Sequence, residues 1–355
     1  FRVDRLLSGA ARRARHAGNQ KVINAAIVGL GRWGRTLVNS VQGKSSEIRF
    51  TAAHTRTRAS AEAFCAENGI ALRDNLDQIL ADPAIDGVVF ATPHSQHGAQ
   101  VERAAAAGKH VFMEKPFTLD VKSAEAALDA AARAGVVLGV AYPRRFHTAM
   151  IELKTRIGDG RLGTVSHCES AQASPTGLSM SPDYWRSDPQ EAPAGAMTAT
   201  GVHNLDAMIY LFGRIDEVYC VSLRRVMPRL EDTTTILLGL ANGISATLYC
   251  SLVTAPSYRF AVYGSKGAVE LATPELEFRF TPVTERPATG RHTAPAPEII
   301  EHKGFNALAA ELEGFAAAIN GERPYPITPE EVLHGVAAFE AIVRSAALHQ
   351  PVKVS

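Results

Sequence analysis

The chain has 355 residues, of which 46% are apolar and 21% are charged, and its formal net charge is +1. This length allows about two domains, and the composition is ordinary for a globular protein. The near-zero net charge gives no general attraction to nucleic acid or to an acidic membrane surface, so we expect neither as a partner. No apolar run approaches the roughly 18 residues needed to span a bilayer.

Residues 1–20 contain five arginines but lack the continuous apolar core of a secretory signal. We interpret this segment as a basic N-terminal arm that is flexible or contacts a partner. The four cysteines are far apart and form no CxxC pair, which argues against a disulfide framework or a zinc site. The acidic residues form no cluster at metal-ligand spacing either. We therefore expect a cytoplasmic protein without a catalytic metal.

The first predicted strand, residues 23–28, is nearly all apolar and leads into a glycine-rich loop with the pattern GxGxxG. Such a loop between a strand and a helix binds the pyrophosphate of a dinucleotide. Gly29 permits the tight turn, Gly31 lets the pyrophosphate approach the backbone, and Gly34 lets the helix pack on the strand. The loop residues expected to bind the cofactor are Gly29, Gly31, Arg32, Trp33 and Gly34.

The second predicted strand, residues 48–54, indicates which dinucleotide is bound. Folds of this type that bind NAD place an acid after this strand to hold the ribose 2′-hydroxyl, whereas those that bind NADP use an arginine. Here Thr55 and Arg56 follow the strand and no acid is present. We expect Thr55 and Arg56 to bind NADP, with NAD as the alternative. The competing interpretation is a solvated basic turn before a helix over residues 60–68.

Strands and helices then alternate, which is typical of parallel βαβ units. This pattern predicts an α/β Rossmann domain with a doubly wound parallel sheet over residues 21–143. The remaining predicted helices cover residues 75–80, 95–107 and 121–133, and the remaining strands cover residues 86–92, the stretch from His110, and residues 136–142.

Beyond residue 143 the pattern changes to β-rich runs separated by hairpin signals such as Ala241-Asn242-Gly243. This predicts an α+β domain over residues 144–355 with a large, mainly antiparallel open sheet. We expect a mobile loop over residues 283–297. The predicted helices cover residues 146–157, 305–320 and 329–348, and the predicted strands cover residues 217–226, 233–240, 244–254 and 257–263.

The predicted strand from His110 ends abruptly in Glu114, Lys115 and Pro116. The proline keeps Lys115 extended at the carboxyl end of a sheet strand, where ligands bind in this fold class. A lysine there loses water, which lowers its pKa toward neutrality and suits it to proton transfer. The competing interpretation is a surface salt bridge between Glu114 and Lys115.

Five short motifs occur in order along the chain: GLGRWG, ATPHSQH, MEKP, YPRRF and GVHNLD. Together they resemble the glucose–fructose oxidoreductase/inositol dehydrogenase (Gfo/Idh/MocA) family, from about residue 23 to the C-terminus. The resemblance implies a Rossmann domain followed by an α+β domain whose sheet builds homodimers or homotetramers. It also implies NAD(P)-dependent oxidation or reduction of a carbinol or carbonyl carbon in a sugar, polyol or related hydroxylated compound.

The resemblance also implies roles for individual residues. Lys115 matches the catalytic lysine beside the nicotinamide, and His203 matches the histidine that exchanges the substrate proton. Both would contact the substrate, and the Lys115–Pro116 bond is often cis in such proteins. The other implied cofactor-binding residues are Thr92, Pro93, His94, His97, Glu114 and Arg144, and the other implied substrate-binding residues are Tyr184, Trp185 and Arg186.

One position departs from the family pattern. Many members carry an aspartate four residues before the histidine, where this chain has Ala199. We therefore expect Lys115 and His203 to handle the proton, with Thr198 or Thr200 available as a hydroxyl relay.

Two other functions stay open at this point. One is a dinucleotide-binding sensor or regulator without catalysis. The other is a reaction that recycles a tightly held cofactor. His203 also has a structural alternative, as a helix-start histidine hydrogen-bonded to the backbone.

Overall fold

A computed structural model describes residues 21–273, 276–284 and 295–355 of the chain. The predicted basic arm over residues 1–20 and most of the predicted loop over residues 283–297 lie outside the described residues. The described part forms two β-sheets, each with a hydrophobic core of its own. No helix within it is long and apolar enough to cross a membrane.

The first sheet consists of six parallel strands. They are β1 Ile23–Val28, β2 Ile48–His54, β3 Ala71–Leu72, β4 Gly87–Phe90, β5 His110–Met113 and β6 Leu138–Val140. Their spatial order is β3-β2-β1-β4-β5-β6, so the direction of winding reverses between β1 and β4. Ligands bind at such a switch point, outside the carboxyl ends of the strands. All four residues of β4 are buried, as a strand covered on both faces requires.

Five helices connect these strands. They are α1 Arg32–Val41, α2 Glu62–Asn68, α3 Leu76–Leu80, α4 His97–Ala106 and α5 Val121–Ala134. Local sequence sets their ends: the Asp120 side chain accepts a hydrogen bond from the Ser123 backbone N–H at the start of α5, and Gly135, with a φ of 64°, ends that helix.

The second sheet has nine strands in the order β14-β13-β12-β11-β7-β10-β9-β8-β15. They are β7 Val165–Ala173, β8 Ile215–Leu223, β9 Thr233–Leu240, β10 Ser245–Ser251, β11 Ser257–Gly264, β12 Gly267–Ala272, β13 Glu277–Pro282, β14 Glu298–Ile300 and β15 Val352–Lys353. Only the β7–β10 pairing is parallel among these strands. One face of the sheet packs on the second core and the other is open. In β9, Ile236 and Leu238 are buried while Leu237 between them is 53% exposed.

Four further helices are α6 Thr148–Gly158, α7 Val202–Phe212, α8 Ala307–Ile319 and α9 Pro329–Leu348. A π-turn over Met197–Gly201 leads directly into α7. Phe315 of α8 packs in the core of the first sheet, whereas Phe339 of α9 packs in the second. The fold class predicted from the sequence is confirmed: a parallel Rossmann-type sheet is followed by a mainly antiparallel sheet.

Candidate active site

The glycine loop after β1 leaves space for a ligand at one position and packs tightly at the other two. A Cβ on Gly29 would lie 2.3 Å from the Ala91 carbonyl oxygen, and a Cβ on Gly34 would lie 2.0 Å from the Gly29 carbonyl oxygen. A Cβ on Gly31 would meet nothing within 4 Å among the described residues. The backbone therefore packs closely against the protein at Gly29 and Gly34, whereas the space beside Gly31 is free for a phosphate group, forming a phosphate cradle.

The N-terminus of α1 adjoins this open position. Gly31 precedes the helix, and no side chain in the described ranges caps it, so its first N–H groups can receive an anion. A groove beside the loop is lined by Leu30, Gly31, Arg32, Arg35, Thr36, Asn39 and Ser60. The cradle, the helix end and two arginines in one groove fit the pyrophosphate and ribose of a dinucleotide. Neither Arg35 nor Ser60 was predicted from the sequence to bind the cofactor.

At the end of β2, Thr55 is half-buried and Arg56 is exposed. Arg56 has no ion-pair partner in the part of the chain that the structure describes, and no acid occupies positions 54–58. Arg58, two residues later, is instead paired with Asp74 at 2.6 Å and with Glu62 at 3.6 Å. Arg56 is therefore the arginine of this turn that is available to a ligand.

The segment after β4 holds two loops together. The Thr92 hydroxyl donates to Gln100 Oε1 at 2.6 Å, and Pro93 starts a short 3-10 turn. His97 is fully buried, with Nδ1 2.9 Å from the Pro116 carbonyl oxygen and Nε2 3.2 Å from that of Thr92. Both ring nitrogens of His97 thus face the backbone, and the ring joins the loops that follow β4 and β5.

Lys115 lies at the carboxyl end of β5 and is 7% exposed. Its Nζ donates to the Ala199 carbonyl oxygen at 2.7 Å, and its bond to Pro116 is cis. Burial lowers the pKa of Lys115 to about 7, helped by the charges of Arg186 and Arg144 and opposed by Glu114. Lys115 therefore holds and releases a proton near neutral pH.

The competing interpretation of a surface salt bridge between Glu114 and Lys115 is wrong. Both side chains are buried, and the Glu114 carboxylate accepts hydrogen bonds from the Trp33 indole N–H and from the Lys115 backbone N–H. Consecutive residues of an extended segment point to opposite sides, so the two side chains find different partners. Burial raises the pKa of Glu114, against the opposing effect of the bond from Trp33. Glu114 thus links the glycine loop to the end of β5.

His203 is the second residue of α7 and lies close to Lys115. Burial lowers its pKa well below the usual value, and the charges of Lys115, Arg144 and Arg186 lower it further. Its Nδ1 is buried and has no hydrogen-bond partner within residues 21–273, 276–284 and 295–355. The predicted alternative, a hydrogen bond to the backbone, is absent there. The ring stands perpendicular to Tyr142 with 6.2 Å between centroids. His203 is therefore a neutral imidazole with a free nitrogen.

The π-turn before α7 supplies the backbone partner of Lys115. π-turns are rare and frequently occur at functional sites. The Thr198 hydroxyl donates to the Pro193 carbonyl oxygen, and the Thr200 hydroxyl donates to that of Ala196 at 3.0 Å. Both hydroxyl protons are therefore already used, which leaves neither threonine free to pass a proton in this arrangement.

The two arginines after β6 differ in their partners. Arg144 donates to two neutral amide oxygens, Asn204 Oδ1 and Gln172 Oε1, and lies over the Tyr258 ring at 4.5 Å. Arg145 is buried and pairs with Asp206 at 2.7 Å and with Glu331 at 2.8 Å. Arg145 therefore joins the YPRRF and GVHNLD motifs, whereas Arg144 has no carboxylate partner in the part of the chain that the structure describes.

The segment that contains Tyr184, Trp185 and Arg186 covers the cleft from the second domain. Tyr184 is 44% exposed, whereas the Trp185 ring meets the edge of His94 at 4.9 Å. The Arg186 guanidinium lies over the Trp185 ring at 4.8 Å. The Glu191 carboxylate accepts hydrogen bonds from the Ser95 backbone N–H and hydroxyl.

The structure brings most of the predicted site residues to the carboxyl ends of β4 and β5. These are Thr92, His94, Glu114, Lys115, Arg144, Trp185, Arg186 and His203. Thr55 and Arg56 lie apart from them, at the end of β2, where the adenosine half of a dinucleotide would reach. Glu191 and Gln172 had no signal in the sequence because their partners are distant along the chain. Asn204 lies within the GVHNLD motif, but no role was predicted for it. No group of three or more metal-ligating side chains occurs among the described residues.

Two family models match this chain. Residues 23–142 match the oxidoreductase family with an NAD-binding Rossmann fold, and residues 150–270 match the GFO/IDH/MocA C-terminal domain. The chain belongs to the Gfo/Idh/MocA oxidoreductase family.

Three known proteins illustrate what this chain is similar to. The inositol 2-dehydrogenase of Rhizobium meliloti is 27% identical over 343 residues, which cover 94% of this chain and 99% of that protein. The 1,5-anhydro-D-fructose reductase of Ensifer adhaerens is 26% identical, with coverage of 82% and 87%. The crystal structure of an aldose-aldose oxidoreductase from Caulobacter crescentus complexed with glycerol superposes with a TM-score of 0.82 at 26% identity, covering 94% of this chain and 100% of that one.

Proposed function

We propose that this Gfo/Idh/MocA protein is an NADP-dependent oxidoreductase that acts on a carbinol or carbonyl carbon of a sugar, polyol or related hydroxylated compound. The observation that carries the proposal is the buried Lys115 ammonium at the carboxyl end of β5, beside the His203 ring, whose Nδ1 has no hydrogen-bond partner among the described residues. The activities named for the inositol dehydrogenase and the anhydrofructose reductase support this substrate class. When bound, NADP supplies or accepts the hydride at its nicotinamide ring.

Lys115 is proposed to hold the reacting oxygen of the substrate. One N–H of its ammonium is fixed by the Ala199 carbonyl oxygen, which orients the remaining two toward the cleft. The protonated amine donates a hydrogen bond that polarises a substrate carbonyl, and the neutral amine accepts a proton from a substrate hydroxyl. Because its pKa is about 7, both forms are accessible near neutral pH.

His203 is proposed to exchange the proton with the substrate hydroxyl. Its lowered pKa keeps the ring neutral at pH 7, and its Nδ1 makes no hydrogen bond in the described part of the chain. A neutral imidazole with a free nitrogen is suited to accept or donate one proton. Since Ala199 contributes only its backbone, Lys115 and His203 share this task.

Turnover with a broad panel of compounds tests the redox function. NADPH consumption is followed with aldehydes and keto-sugars, and NADP reduction is followed with sugars, polyols and dihydrodiols. Turnover of any member supports an oxidoreductase. Tight dinucleotide binding with no turnover across the panel supports a sensor instead. A cofactor that survives purification and is not consumed supports a reaction that recycles it.

The preference for NADP rests on the basic turn after β2. Arg56 is exposed and has no ion-pair partner among the described residues, and no acid follows the strand to bind the ribose 2′-hydroxyl. An arginine fork binds a phosphate dianion through two parallel hydrogen bonds. Arg32 and Arg35 line the neighbouring groove and add positive charge there.

Replacing Arg56 with alanine is expected to raise the KM for NADP by about tenfold or more, because a charge-assisted bidentate contact to the 2′-phosphate is lost. The KM for NAD should change by less than about twofold, since NAD lacks that phosphate. Steady-state kinetics with both cofactors measures the difference. Arg58→Ala is the matched control, because Arg58 is already paired with Asp74 and Glu62. Equal changes for NAD and NADP in Arg56→Ala would rule out the NADP assignment.

We also propose that the protein forms a homodimer or homotetramer through the open face of the second sheet. Alternate residues of β8 and β9 place large apolar side chains on this face: Tyr219, Val221, Leu223 and Leu237 are 38–53% exposed. Tyr219 and Leu237 are directly paired across the two strands. A contiguous exposed apolar patch of this kind marks an interaction surface.

Leu237→Asp is expected to dissociate this oligomer, raising its dissociation constant by about 100-fold because an unpaired charge is buried at the interface. Multi-angle light scattering over a dilution series measures the change. Leu348→Asp is the matched control, because Leu348 is also 53% exposed but lies at the end of α9. An unchanged mass for Leu237→Asp would argue against this interface.

A reducing, cytoplasmic location is also proposed. Cys65, Cys168, Cys220 and Cys250 are all buried free thiols. Proteins of oxidising compartments commonly pair their cysteines, and these four are unpaired.

A further inference from the structure

Three cations converge on the cleft, and no carboxylate of the described residues pairs with any of them. Lys115, Arg144 and Arg186 lie close enough that both arginines lower the pKa of the lysine. None of the three forms an ion pair with any described residue. By contrast, the buried arginines Arg145 and Arg156 each form ion pairs with two carboxylates.

The acids around the cleft offset only part of this charge. Asp206 is bound by Arg145. The Glu114 carboxylate, which accepts a hydrogen bond from the neutral Trp33 indole, raises the pKa of Lys115. The Glu191 carboxylate accepts hydrogen bonds from the Ser95 backbone N–H and hydroxyl. Position 199, where many family members have an aspartate, holds an alanine. The cleft therefore carries an excess of positive charge from its own residues.

One arginine in the cleft has an unsatisfied donor, and a second has only neutral partners. Arg186 Nε is buried with no hydrogen-bond partner among the described residues, and Arg144 is satisfied only by neutral amide oxygens. Burying charged donors without a counter-charge costs free energy that a ligand can recover. A planar guanidinium with a free Nε edge matches the two oxygens of a carboxylate.

We propose that the substrate is a hydroxylated carboxylate, such as a sugar acid or another hydroxy acid, whose carboxylate binds Arg186 with Arg144 beside it. This inference rests on the proposed redox function and narrows its substrate class. The substrate carboxylate supplies the negative charge that the chain lacks at Ala199. The hydroxyl or carbonyl group that reacts lies between Lys115 and His203.

Matched acid and neutral compounds test the proposal. Binding to the NADP-loaded protein is measured by calorimetry for D-glucuronate against D-glucose, D-gluconate against D-glucitol, and L-tartrate against threitol. The acid of at least one pair should bind about tenfold or more tightly than its neutral partner, because a charge-assisted bidentate contact is gained. Glucose 6-phosphate is included to separate carboxylate from phosphate recognition.

Two variants test which residues produce the preference for acids over neutral compounds. Arg186→Gln should bring the acid-to-neutral affinity ratio close to one while leaving NADP affinity unchanged. Ala199→Asp adds a carboxylate beside Lys115 and should lower the same ratio by about tenfold through like-charge repulsion. Arg103→Gln is the control, since Arg103 is exposed and pairs with Asp77 on the protein surface.

Several results would overturn the inference. These are equal binding of acids and neutral compounds, no binding of any acid, stronger binding of the phosphate than of the carboxylates, or loss of NADP affinity instead of acid affinity in Arg186→Gln. The redox proposal fails separately: acids that bind selectively without any turnover would preserve this inference and refute that function. Turnover of neutral polyols without any preference for acids would support the redox function and refute this inference.

Discussion

Replacing Lys115 with methionine is expected to reduce kcat by about 1,000-fold, within the range that general acid–base groups contribute. Methionine fills similar volume but offers no hydrogen bond to the reacting oxygen. The dissociation constant for NADPH should stay within roughly twofold, because the phosphate cradle lies at the other side of the cofactor site. Steady-state turnover and fluorescence titration with NADPH measure the two quantities independently.

The pH profile provides a second readout of the same residue. The neutral amine is the form that accepts a proton, so oxidation should accelerate as pH rises through about 7. The protonated amine is the form that polarises a carbonyl, so reduction should slow over the same range. In Lys115→Arg the side chain stays charged throughout, and the inflection near pH 7 should disappear from the residual activity.

Lys109 is the matched control because it is a buried lysine just before the opposite end of β5. Its Nζ donates to the Asp82 and Ile85 carbonyl oxygens at 2.7 and 2.9 Å. Lys109→Met should lower the melting temperature by leaving these acceptors unpaired, with kcat unchanged. Full activity in Lys115→Met, or an equal loss of kcat in both variants, would refute the role of Lys115.

Gly31→Ala is expected to raise the dissociation constant for NADP by about tenfold or more without loss of stability, because the added methyl group occupies the space for the pyrophosphate. Nothing in the described structure lies within 4 Å of that methyl group, and Gly31 has an ordinary φ of −71°. The fold should therefore tolerate the change. Calorimetric titration with NADP and a thermal melt of the apo-protein measure the two effects.

Substitutions at two other glycines distinguish an effect on cofactor binding from an effect on folding. Gly34→Ala should destabilise the protein, since its Cβ would lie 2.0 Å from the Gly29 carbonyl oxygen. Gly158→Ala should change neither property, because its Cβ also meets nothing within 4 Å but lies at the end of α6, away from the loop. Unchanged NADP affinity in Gly31→Ala would show that the cofactor does not use this cradle.

Local sequence was sufficient to predict much of the fold. The predicted bounds of β1, β2, β9 and α9 agree with the structure, because apolar periodicity and the residues that cap or break each element are local signals. β7 was not predicted. Its buried positions include Cys168, Ser170 and Ala173, so it lacks an apolar alternation. Pairing with β10 and β11, far along the chain, is what forms this strand.

The candidate site was predictable in position but not in its contacts. The motifs located Lys115 and His203, and the structure brings them into one cleft. The partner of Lys115, however, is a backbone atom 84 residues away, and the partners of Arg144 are side chains 28 and 60 residues away. Adjacency in sequence suggested the competing Glu114–Lys115 pair, but neighbouring residues of an extended segment point to opposite sides.

The π-turn over Met197–Gly201 has a consequence for how this site can diversify. Lys115 is held by the carbonyl of residue 199, and a side-chain substitution there leaves that carbonyl in place. The charge of the pocket and the anchoring of Lys115 are thereby uncoupled. We expect a substitution at position 199 to change which substrates the cleft accepts while Lys115 keeps its orientation.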